Sequence, residues 1–294
     1  LASFAHSAEE PSEQVIRIGF EAVNQRSAVN DYFVRLLELA LDNTRPEYGN
    51  YELNKVNIDV SQSRLLSFLL SNKTTRNSID VMWAGTDVAR EETLRAIKIP
   101  IAGGLNGIRP LVIRKDREHL FRGVTSAEGL ASFVACQGSD WPDSDIMEHS
   151  GLTVERVVSL DRMYKMVQAG RCDYLPRGLH EIAVEMKNAN PSLVVSQNVI
   201  LSYIFPLYFF TDKDNDALAK RIEMGLTRMI GSGEFDSFLK SHPGIGSAFS
   251  LPQLSTASFI ELDNPLLPEG TPVDNTTFWA PYHEIVKPSV LSPP

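Results

Sequence analysis

The chain has 294 residues and a formal net charge of -9 at pH 7, with 43% hydrophobic and 22% charged side chains. That length accommodates two domains of ordinary size, each with its own core. The acidic balance excludes a general nucleic-acid binder, which needs a basic face, and no apolar run approaches the roughly 20 residues that span a bilayer.

Residues 1–14 read as an exported tail. Leu1 to Ala8 are small and weakly apolar, Glu9, Glu10 and Pro11 follow, and Ala5 and Ser7 occupy the two small-residue positions before a signal-peptide cut. The alternative is an ordinary frayed terminus. Export implies a soluble protein outside the cytoplasm, in the periplasm.

Val15–Phe20 alternates at period two and predicts a strand. Phe33, Leu36, Leu37, Ala40 and Leu41 then recur at helical spacing, with Asn30 or Asp31 as a cap. Val56–Val60 is a second strand, Ser61–Leu70 a second apolar-faced helix and Ile79–Trp83 a third strand. This order implies parallel pairing with right-handed crossovers. After the glycine-rich stretch Gly103–Gly107, Leu111–Arg114 leads elsewhere, and a second series begins. It holds strand Ser132–Cys136, a helix over Asp143–His149, strand Val154–Val158, a helix facing inward through Leu160, Met163, Tyr164 and Val167, and strand Asp173–Leu175.

Ile204–Phe210 reads as a return strand, and Leu218, Ile222, Leu226, Met229 and Ile230 form the stripe of an amphipathic helix. The proline-rich tail from 263 is expected to run extended over the surface. The fold class is therefore α/β with two lobes, each a mostly parallel sheet flanked by helices. Lobe one comprises 15–108 and 205–294, and lobe two comprises 109–204. Two crossing segments make the space between them a hinged ligand cleft. Cys136 and Cys172 both sit in apolar strand contexts and are expected to be two buried thiols, a single bridge being the alternative in an oxidising compartment.

The run Asp212, Asp214, Asp216 and Glu223 has the spacing of a calcium loop, but its sixth position is Ala217, where the sharp turn wants glycine. Asp214 or Asn215 as a helix cap explains the run more simply. There is no phosphate loop, no Gly-x-Ser-x-Gly and no Cys-x-x-Cys, and the six histidines show no ligand spacing. No catalytic residues, metal or cofactor are expected.

Several short pieces share an order and spacing: Ile16–Gly19, Asp80–Arg90, Gln137–Ser139, Gly170–Asp173 and Phe205–Phe209. With them the chain, from Val15 to about His242, resembles the type II periplasmic solute-binding proteins, particularly the polar amino-acid binders of ABC importers. The resemblance implies a monomer that binds a small polar ligand and delivers it to a membrane permease. The same fold also serves as the sensing module of membrane receptors and, more rarely, as an enzyme, for which Glu21 or Glu181 is the candidate acid.

The resemblance also implies site residues. Glu21, two places after the first strand's glycine, matches the acid that meets a ligand ammonium. Arg90 matches the arginine that clamps a ligand carboxylate, a task suited to its planar fork. The family's Thr-x-x-Arg reads Asp87-Val-Ala-Arg90 here, with Thr86 one place earlier. Trp83, at a cleft-facing strand end, stacks on ligand or packs in the core. Gly138 and Ser139 join a strand to a helix whose free N–H groups attract an anion, with Ser139 or Asp140 as the cap and Pro142 in the first turn. Asp140, Asp143 and Asp145 oppose that attraction. Amino-acid binders carry a second acid five places after Asp173. Here that position is Gly178, with Arg177 beside it. An arginine there favours acidic solutes if it faces the cleft, and none if it pairs with Glu181.

Overall fold

The computed structural model describes residues 14–21, 27–58, 60–70 and 78–286, without the side chains of Glu21 and Ser27. Along the chain run β1 (Gln14–Glu21), α1 (Ser27–Asp42), α2 (Arg45–Tyr48), β2 (Tyr51–Ile58), α3 (Gln62–Leu69), β3 (Val81–Gly85), α4 (Val88–Thr93) and β4 (Leu94–Ile97). The chain continues through β5 (Ile108–Arg114), α5 (Ala127–Leu130), β6 (Val134–Gly138), α6 (Pro142–His149), β7 (Thr153–Val157), α7 (Leu160–Gln168), β8 (Tyr174–Pro176), α8 (Leu179–Glu185) and β9 (Leu193–Ser202). Last come β10 (Leu207–Asp212), α9 (Asp216–Ser232), α10 (Glu234–Ser241), β11 (Ser258–Glu261) and α11 (Ala280–Ile285).

Two sheets result, ordered β2-β1-β3-β10-β4 and β11-β9-β5-β8-β6-β7. Both are mixed. In the first, β1 lies parallel to β2 and β3, whereas β10 returns antiparallel between β3 and β4. In the second, β6 pairs parallel with β7 and β8, whereas β5 runs antiparallel to β8 and β9. Helices cover the sheets because each offers one apolar stripe. Leu218, Ile222, Leu226 and Met229 of α9 are all buried, each stabilising by about 1.5–3 kcal/mol. Among the described residues no helix is long and apolar enough to cross a membrane.

Four expectations are corrected. The helix expected to start at Asn30 or Asp31 starts at Ser27. The segment 205–294 does not stay in lobe one: β11 pairs parallel with β9 and extends the second sheet, adding a crossing between α10 and β11. Nor is the proline-rich tail merely extended. Trp279 and Tyr282 are buried, because Gly104, at φ +83, has no Cβ; a methyl there would come within 2.7 Å of both side chains. Finally, Cys136 and Cys172 form a disulfide, with Cα atoms 5.6 Å apart. Cys172 lies in the bend that enters β8, and the Asp173 N–H donates to the Val134 carbonyl at 2.7 Å, which holds that bend against β6 and its Cys136. In the calcium-like run, Asn215 caps α9 by accepting from the Leu218 N–H. The tail 1–14 lies almost wholly outside the described residues.

Candidate functional site

The cleft opens where the crossing segments meet. Tyr203 N–H donates to the Gly107 carbonyl at 3.0 Å, and the Asn106 amide donates to the Phe205 carbonyl at 3.3 Å, so the two strands of the hinge run side by side. Arg109, the second residue of β5, is 3% exposed. Its guanidinium lies over the rings of Tyr203 and Phe205, 5.7 and 5.6 Å from their centroids, which fixes its plane. It pairs with Asp143 of α6, and the Tyr203 hydroxyl donates to that same carboxylate at 2.5 Å. Burial opposes the arginine's charge, but Asp143, Tyr203 and Glu181 outweigh it and raise the pKa above the ordinary value. Among the described residues the buried Arg109 Nε–H has no acceptor, a costly arrangement unless something supplies one.

A second buried arginine stands opposite. Arg177 follows β8 directly and is 1% exposed. Arg177 stands just before α8, and Glu181 and Glu185 lie one turn apart along it, so one guanidinium reaches two carboxylates. It pairs with Glu181 at 2.7 Å and grips both oxygens of Glu185 at 2.8 Å. Glu181 also accepts from the Gly178 N–H at 3.3 Å, and Glu185 accepts from the Tyr164 hydroxyl at 2.8 Å. Burial pulls the Arg177 pKa down, but the two glutamates hold it well above the ordinary arginine value. Glu181 also lies 4.0 Å from the Arg109 guanidinium, so it links the two arginines, with Asp143 on the first and Glu185 on the second.

These groups brace an inner chamber of about 60 Å³, walled also by Phe33 and Trp83 of lobe one and by Trp141 and His180 of lobe two. A larger chamber of about 660 Å³ lies outside it, between α3 and α4 on one side and the Ser139–Asp145 segment on the other. Trp141 and Pro142 line both chambers.

Arg90 joins the lobes beside this outer chamber. Asp87 caps α4 by accepting from the Arg90 N–H at 2.8 Å, and its carboxylate also pairs with the Arg90 side chain at 3.0 Å. The guanidinium donates to the Gly85 carbonyl at 2.5 Å and, across the cleft, to the Asp140 carbonyl at 3.2 Å. Burial pushes the Asp140 carboxyl up, but hydrogen bonds from Ser139, and from Ser63 and Ser61 across the cleft, bring it below the usual aspartate value. The lobes are thus latched together by the chain itself.

The sequence-derived residues are divided by this geometry. Trp83 and Arg177 line the inner chamber; Arg90 and Ser139 line the outer one. Trp83 packs 4.9 Å from Phe33 and 5.7 Å from Phe20 and lines the inner chamber. Thr86 is buried, with its hydroxyl donated to Glu91 at 2.7 Å, and lines neither chamber. Ser139 donates to Asp140 and does not cap α6, which begins after Trp141 without a side-chain cap. Gly138 serves packing: a Cβ there would lie 2.3 Å from the Trp141 ring. The Glu21 side chain lies outside the described residues. Arg109, Asp143 and Trp141 were not anticipated as site residues. The signal for Arg109 was a charged side chain at the crossing itself, in a strand whose neighbours are all buried.

No protein-family model and no curated protein sequence matches the chain. Solved structures match it in fold. An amino acid ABC transporter substrate-binding protein from Streptococcus pneumoniae, bound to L-arginine, shares 16% identity at a TM-score of 0.56, over 79% of this chain and 94% of that one. A periplasmic binding protein of the His/Glu/Gln/Arg/opine family from Silicibacter pomeroyi, in complex with lysine, shares 12% at 0.55, over 78% and 97%. A histidine kinase sensor domain with similarity to periplasmic binding proteins shares 14% at 0.57, over 79% and 97%. Such identities speak for architecture alone: the chain has the two-lobed fold of the type II periplasmic binding proteins.

Proposed function

We propose that the protein acts outside the cytoplasm as a monomer that binds a small polar solute of the amino-acid class between its lobes, for delivery to the permease of an ABC importer. The observation that carries this reading is the buried Arg109, held at the hinge with an Nε–H donor left without an acceptor beside the inner chamber. An oxygen of the solute fills that need. The sequence favoured acidic solutes through Arg177, but Glu181 and Glu185 neutralise that guanidinium, so a zwitterionic amino acid fits better than a dicarboxylate. The disulfide suits an oxidising compartment.

A ligand-sensing module is the second reading, favoured by the likeness in fold to a histidine kinase sensor domain. An enzyme has less support, because the candidate acid Glu181 is occupied by Arg177 and the Gly178 N–H. A thermal-shift screen across amino acids, dicarboxylates and polyamines tests the first reading, since a ligand of the native state stabilises by RT ln(1 + [L]/Kd). Stabilisation by amino acids with little from dicarboxylates is the expected result; stabilisation by dicarboxylates alone overturns the proposed class.

A further inference from the structure

Resting on that reading, we infer that Trp141 is the specificity-determining residue of the cleft, a partition that sets the size of the solute admitted. The indole stands in the wall shared by the two chambers. On one side the Arg177 guanidinium lies 5.1 Å from the ring centroid. On another the ring fills the space where a Cβ of residue 138 would project, at 2.3 Å. The inner chamber, of about 60 Å³, is far below the roughly 300–1,000 Å³ of ordinary ligand pockets. The outer one, of about 660 Å³, lies within that range but lacks Arg109, Arg177 and Trp83 among its lining residues.

The outer chamber has the room and, of the buried charged groups, Arg90, whereas Arg109, Arg177 and Asp143 line the inner one, which lacks the room. Movement of the indole would join them, and the volume it keeps is denied to the solute. Sequence placed Trp141 in a strand-to-helix connection without assigning it a role. Gly138 acquires its reason from the same geometry, since its missing side chain is where the indole rests.

The test is calorimetry with L-serine, L-glutamine, L-arginine and L-tryptophan on wild type, Trp141→Ala, Trp141→Phe and Gly138→Ala. The quantity read is the ratio of Kd for the two large probes to Kd for L-serine. Loss of packing alone weakens all probes in parallel and leaves the ratio unchanged; a partition moves it. In Trp141→Ala the ratio is expected to shift at least about fivefold toward the large probes, in keeping with the roughly 10–200-fold discrimination that pocket volume gives. Trp141→Phe shifts it less, in the same direction. Gly138→Ala, which keeps the indole but displaces it, also shifts the ratio the same way. Ratios within about fivefold of wild type in both Trp141→Ala and Gly138→Ala overturn the inference while leaving solute binding intact. If Trp141→Ala fails to fold, the ratio in Gly138→Ala decides. A wild type that binds none of the probes overturns the amino-acid reading, and the inference falls with it.

Discussion

Arg90 and Arg177 follow strands on opposite lobes, and both are buried at the cleft, yet their partners differ. Arg177 is gripped by two carboxylates of its own helix, with its charge balanced within lobe two. Arg90 pairs with Asp87 and donates to the backbone carbonyls of Gly85 and, on the opposite lobe, Asp140. A carbonyl gives up a guanidinium far more cheaply than a buried carboxylate does, because no unpaired charge is left behind. Arg177 is therefore a brace within one lobe, whereas Arg90 is a link between lobes.

The largest expected effect follows from the brace. Arg177→Met removes the buried guanidinium that Glu181 and Glu185 share, and at neutral pH stability should fall by about 3–5 kcal/mol. Urea unfolding measures it. A loss below about 1 kcal/mol means that the glutamates find other partners, and the contrast with Arg90 disappears. The disulfide tests the frame on which the brace is mounted. It ties β6, which leads to Trp141, to the segment entering β8, which leads to Arg177. Its 36-residue separation predicts a loss of about 3–4 kcal/mol in Cys136→Ser, read by urea unfolding against a reduced wild-type control. Equal stability of oxidised and reduced wild type excludes that contribution.

The sequence carried the strand–helix alternation, both lobes and the amphipathic α9, because apolar periodicity is local. It missed β4, β9 and β11: β9 occupies a stretch where no strand was expected, and β11 is defined only by its parallel pairing with a strand distant in sequence. The disulfide was misread for the same reason, since the adjacency of β6 and β8 is a tertiary fact. Among the site residues, Trp83, Arg90, Ser139 and Arg177 line the cleft. Their separation into two chambers depends on the orientation of Trp141, which no spacing rule encodes. Arg109 was hidden by its company, for a charged residue inside an apolar strand reads as an interruption until its partners Asp143, Asn106 and Tyr203 arrive from elsewhere.

Removing the interlobe arginine should cost less than removing the brace. Arg90→Ala deletes the donors to Gly85 and Asp140, and about 1–3 kcal/mol of stability goes with them. Its more telling effect is on shape. With the bond across the cleft gone, two rigid lobes rotate apart about the hinge at Gly107 and Tyr203, and small-angle scattering of the solute-free variant should give a larger radius of gyration than wild type. An unchanged radius shows that the remaining contacts suffice to hold the lobes closed. Solute added to Arg90→Ala should then produce a compaction that wild type, already closed, does not show.

The smallest effect, and the most specific, concerns Asp140 and acid. Burial opposes its ionisation, but hydrogen bonds from Ser139, Ser63 and Ser61 bring its folded pKa below the usual aspartate value. A carboxyl depressed by folding stabilises the folded state above its unfolded pKa, near 3.9, and loses that contribution as pH falls through the folded value. The latch should therefore be complete at pH 5 and weaken below about 4. The prediction is a rise in the radius of gyration of solute-free protein between pH 5 and pH 3. Asp87 and Asp145 border the same chamber, and Asp87 pairs with Arg90. The comparison that isolates Asp140 is Asp140→Ala, which should be more open at pH 5 and should change less on acidification. If Asp140→Ala opens as much as wild type between the two pH values, the acid response does not come from Asp140.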